Sequence, residues 1–93
     1  MIKIITVCGN GIGSSLLLKM KIEAIAKEHG YDVQSESCDS NAAVGRECDL
    51  FVTVKEFKDI FPADAQVCIV KSYTNKKKIE EDLLPVLSSM QNN

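Results

Sequence analysis

Four short runs of β-branched and aliphatic residues recur along the chain, each followed by a stretch with helical spacing, and this alternation narrows the possible folds more than any other feature. Ile2–Val7, Tyr31–Ser37, Leu50–Val54 and Gln66–Lys71 read as strands. Between them, Ser14 or Ser15 is placed to cap a helix running to about His29, where Gly30 stops it. Asp39 or Ser40 is placed to cap a short helix through about Glu47, and Lys55–Phe61 reads as a helical turn or two closed by Pro62. A last helix is predicted from about Asn75 to Met90, kinked or broken at Pro85, which lacks a backbone donor. Connections this short between alternating elements require parallel strands with right-handed crossovers. The expected fold is α/β: a small doubly wound sheet of four parallel strands in the order 2-1-3-4, helices on both faces, one domain spanning 1–93.

Patterning within the elements assigns faces. Leu18, Ile22 and Ile25 repeat along one side of the first helix and read as core, while Leu16, Met20 and Ala24 form a second stripe. That stripe packs on the last helix or meets a partner. Leu50–Val54 is apolar apart from Thr53, which suits a central strand, and the polar Tyr31–Ser37 suits a sheet edge. Ile79, Leu83, Val86 and Met90 share one face of the last helix.

Several classes of function are excluded early. At 93 residues there is no room for separate cofactor and substrate domains, and no cofactor is expected. Eleven Lys and Arg against 13 Asp and Glu leave a net charge of −2, which argues against a nucleic-acid partner. No apolar run approaches the ~20 residues that span a bilayer, so direct membrane insertion is not expected. The opening MIKIITV leads into glycines without a cleavage-site pattern, and the expectation is a cytoplasmic protein. The thiols Cys8, Cys38, Cys48 and Cys68 form no C-x-x-C pair and His29 is the sole histidine, so no metal site is expected. Cys38, Cys48 and Cys68 lie in or beside apolar runs and read as small core residues.

Cys8 differs because of its position. In a doubly wound sheet, ligand chemistry sits at the carboxyl ends of the strands where the order reverses, here between the first and third. The loop that leaves the first strand there is Cys8-Gly9-Asn10-Gly11-Ile12-Gly13-Ser14-Ser15. A glycine-rich turn before a helix presents several backbone N–H groups to one point, and the helix dipole adds about half a positive charge behind them. Such a concavity holds a tetrahedral anion, Ser14 and Ser15 can add hydroxyl donors, and the same field favours a nucleophilic thiolate at Cys8. The loop lacks G-K-[ST], which sets it apart from nucleotide-triphosphate loops, and Ser14 stands where a dinucleotide-binding loop has its last glycine.

CGNGIGSSLLLKMKIE resembles the loop and first helix of the cytoplasmic IIB components of the phosphoenolpyruvate-dependent sugar phosphotransferase system, within the lactose, ascorbate and galactitol group. The resemblance is strongest over Lys3–Glu23 and points to the ascorbate branch, whose loop reads C-G-N-G-x-G-S-S; LFVTVKEF is also similar to the family. It implies a Rossmann-like, phosphatase-like fold. It also implies that Cys8 takes a phosphoryl group from a IIA phosphohistidine, with Gly9, Asn10, Gly11, Ile12, Gly13, Ser14 and Ser15 as the phosphate-binding loop. The partners implied are that IIA phosphodonor and a membrane IIC permease holding the sugar, L-ascorbate for this branch. A low-molecular-weight tyrosine phosphatase is the alternative, but that chemistry needs Arg six residues after the cysteine, where this chain has Ser14, and its one arginine is Arg46. A non-catalytic regulatory module would keep the fold and leave Cys8 unused. His29 reads as a helix C-terminal residue, Lys76-Lys77-Lys78 as a solvated face, and Asp59 and Asp64 have no spacing that supports acid catalysis.

Overall fold

The structure, a computed structural model, describes residues 2–8, 13–43 and 45–91, with the backbone alone for 13–15 and 91. The elements follow in the order β1 (Ile2–Cys8), α1 (Gly13–Glu28), β2 (Val33–Asp39), α2 (Ser40–Ala43), β3 (Leu50–Thr53), a 3-10 helix (Lys55–Ile60), β4 (Val67–Ile69) and α3 (Lys76–Gln91). The four strands form one parallel sheet of order β2-β1-β3-β4, as the alternation requires.

Side chains of β1 alternate between two apolar layers. Ile2 and Ile4 face α1 and α3, where Leu18, Ile22, Ile25, Leu50, Val52, Ile79, Leu83 and Leu87 close the larger core. Ile5 and Val7 face the other way, against Cys38, Ala43 and Phe51 under α2 and the 3-10 helix. Leu18, Ile22 and Ile25 are fully buried, and each contributes about 1.5–3 kcal/mol relative to exposure. The ends of α1 and α3 are joined by Lys76 Nζ to Glu28 Oε2 at 2.6 Å and by His29 Nε2 to Glu80 Oε2 at 3.6 Å. Lys76 holds the Glu28 carboxyl below its ordinary range.

Several local expectations are corrected. The second helix stops at Ala43 rather than near Glu47, because Gly45 adopts a left-handed conformation (φ 87°) that a helix cannot continue through. Asp39 does cap it, its Oδ1 accepting from the Ala42 N–H at 2.8 Å. The first helix already includes Gly13, so Ser14 and Ser15 belong to its first turn instead of preceding it. The last helix runs unbroken through Pro85. Pro85 and Glu81, whose carbonyl a residue at 85 would normally meet, both lie on its exposed side, where water can serve that carbonyl. Its buried stripe is Ile79, Leu83 and Leu87, with Val86 and Met90 partly buried at the margin. Leu16, Met20 and Ala24 are all exposed instead of being buried against α3.

Candidate active site around Cys8

β1 carries Cys8 as its last residue, paired in register with Asp39 of β2, and α1 begins five residues later. Residues 9–12 join them and lie outside the described residues, as do the side chains of Ser14 and Ser15. The first turn of α1 contains no acidic residue, so no carboxylate of its own offsets the positive end of the helix dipole.

Cys8 is 3% exposed. It is reached through a cleft of about 750 Å³, walled by the segments that follow β3 (Val54, Lys55, Glu56, Phe57) and β4 (Val70, Lys71, Ser72, Tyr73). The cleft therefore opens at the carboxyl edge of the sheet, on the side of the strand-order reversal that the alternation indicated.

Sequence reasoning missed these walls. Thr53 Oγ1 donates to the Val7 carbonyl at 3.0 Å, and the Tyr73 hydroxyl donates to the same oxygen at 3.3 Å. Burial above all pushes the Tyr73 phenol up, with the nearby Cys8 acting in the same direction and the adjoining Thr53 hydroxyl against it. The phenol thus stays a donor at neutral pH. Lys55 and Lys71 bring cationic side chains to the cleft. A lone threonine at the end of an apolar strand was the sole sequence signal for any of this. Arg46 stands elsewhere: its Nη2 lies 2.7 Å from Glu36 Oε2, and it lines a separate cleft of about 320 Å³ near Phe51 and Phe61.

The other thiols match their reading as packed residues. Cys38 and Cys68 are buried and Cys48 is partly buried. Burial pushes all three up, Cys68 to about 11. His29, Asp59 and Asp64 are exposed and do not line the Cys8 cleft.

Fold and site together define a class: small doubly wound α/β proteins with a cysteine at the carboxyl end of the first strand. The family described as the lactose/cellobiose-specific IIB subunit of the PTS system matches residues 3–84. The ascorbate-specific PTS system EIIB component of Mycoplasma pneumoniae is 33% identical over 88 residues, covering 90% of this chain and 93% of that protein. The chain belongs to this IIB family, and so to the phosphocarriers of sugar uptake that generally work with IIA and IIC partners. Among solved structures, the lactose-specific IIB component domain from Streptococcus pneumoniae superposes with a TM-score of 0.62 at 19% identity, covering 94% of this chain and 95% of that one. A low-molecular-weight phosphotyrosine phosphatase from Vibrio cholerae O395 gives 0.61 at 11% identity, covering 98% and 97%. At these identities the structural likeness concerns the fold alone. Among the described residues, no helix is long and apolar enough to cross a membrane.

Proposed function

We propose that Cys8 is the phosphoryl acceptor, taking the group from a IIA phosphohistidine and passing it to L-ascorbate held by the membrane IIC component. The observation that carries this reading is the placement of Cys8 at the carboxyl end of β1, on a cleft and just ahead of the α1 N-terminus. The Cys8 thiol gives up its proton and its sulfur attacks phosphorus, the P–N bond breaks and the histidine nitrogen takes up a proton in exchange, so that none is gained or lost. In the second half, an acceptor hydroxyl oxygen attacks phosphorus, the S–P bond breaks, and the hydroxyl proton is released. Residues Gly9–Ser15 cradle the phosphoryl oxygens, and the uncompensated dipole of α1 favours their negative charge. Ascorbate is favoured because the 33%-identical relative is ascorbate-specific. The chain works as one IIB-type unit over 1–93, in the cytoplasm, where both partners would present their reacting groups.

Intact mass measured after incubation with phosphoenolpyruvate, the general phosphotransferase proteins and a IIA donor tests this. One added phosphoryl group on Cys8 is expected, lost in Cys8→Ser with the fold retained. Labelling of His29, Cys38, Cys48 or Cys68 instead would overturn the assignment.

A further inference from the structure

The β1 ladder ends unevenly. Against β2 it runs to the Cys8–Asp39 pair, but against β3 it stops at Thr6–Val52, so the Val7 carbonyl lies one residue beyond the β1–β3 pairing. Two hydroxyls serve that carbonyl, one from the last residue of β3 and one from the loop after β4. A carbonyl oxygen has two lone pairs, and here both have a donor. The Val7–Cys8 peptide is a rigid plane, so fixing its oxygen from two directions also fixes the Cys8 N–H and the Cα that carries the sulfur. Thr53 is fully buried, and Tyr73 is half-buried against the α1–α3 core, so neither donor is free to drift. Tyr73 lines the same cleft as Cys8.

We propose that Tyr73 is a positioning residue for phosphoryl transfer: together with Thr53 it clamps the Val7–Cys8 peptide and holds the sulfur in line with the cleft. The inference rests on the assignment of Cys8 as phosphoryl acceptor. In-line transfer is sensitive to small displacements of the reacting atom, which is where a clamp of this kind acts. Tyr73→Phe removes one of the two hydrogen bonds and keeps the ring.

Single-turnover transfer from a phosphorylated IIA protein, followed by rapid quench and intact mass over a range of donor concentrations, separates maximal rate from half-saturation. Tyr73→Phe is expected to lower the maximal rate about tenfold, with half-saturation and melting temperature near those of the wild type. A second pair makes the comparison without touching the phenol: Thr53→Val should slow transfer, and Thr53→Ser, which keeps the donor, should restore it. Wild-type maximal rate in Tyr73→Phe, a loss confined to half-saturation, or equal rates for the two Thr53 variants would overturn the clamp while leaving Cys8 as the acceptor. Failure of the wild type to carry the group on Cys8 would overturn both assignments.

Discussion

The Cys68 thiol donates to the main-chain oxygen of Asp82 at 3.4 Å under α3, and burial together with the Asp82 charge pushes it up to about 11. An unfolded cysteine titrates near about 8.5. Below that pH both states keep the proton; above it the unfolded chain loses its proton first, so stability falls as pH rises and the loss is complete near the folded value. At most roughly 3 kcal/mol is at stake, and Cys38 and Cys48 act in the same direction. Melting temperature should therefore drop between about pH 8.5 and 11, and less steeply in Cys68→Ala. Parallel slopes would remove Cys68 as a cause. Burial does not separate these three thiols from Cys8, itself 3% exposed; what separates it is its place on the lining of the cleft at the end of β1.

At the scale of elements, α1 presents two different apolar faces. Its Leu18–Ile22–Ile25 stripe is fully buried, yet Leu16, Leu17 and Met20 stay 43%, 46% and 58% exposed close to the loop that follows Cys8. Exposed apolar side chains of this kind are what a transient docking surface would use, and the proposed transfer from a IIA donor calls for one. Leu16→Asp should leave the melting temperature within about 2–4 °C, since it alters an exposed position and places an acid in a helix first turn. It should weaken transfer from the IIA donor about tenfold, and the uncharged Leu16→Gln should do the same. Unfolding of either variant would make Leu16 a core residue after all. The periodicity that made both stripes legible could not say which neighbour the second one met. Nor could local pattern place the end of α2, because the left-handed Gly45 acts through its backbone, and a lone glycine in a polar stretch fits a helix or a turn equally well.

The molecule as a whole shares its sheet with a phosphatase fold, so chemistry has to be decided by charge at the site. Hydrolysis needs a fixed guanidinium on the phosphoryl oxygens; this chain has Ser14 six residues after the cysteine, and Arg46 is paired with Glu36 beside the other cleft. Aryl phosphate turnover should not exceed that of a Cys8→Ser control. Enzyme-like rates in that assay would move the chain from carrier to hydrolase. For the proposed carrier the absence of an arginine at that position is useful, since water would otherwise discharge a phosphocysteine before the sugar arrived.

Strand order, the core stripe of α1 and the special place of Cys8 were legible because each rests on neighbours close in the chain. Strand and helix periods, a glycine-rich turn and short parallel crossovers are local signals that leave few topologies open. The walls of the Cys8 cleft follow a different logic. Thr53 lies 46 residues and Tyr73 66 residues from the carbonyl they share, and neither stands in a motif. Tertiary structure alone decided that these hydroxyls meet, because β3 lies beside β1 and β4 beside β3, and they end at nearly the same level. A hydrogen bond between side chain and distant backbone depends on where whole elements come to rest, and no spacing within the sequence encodes that distance.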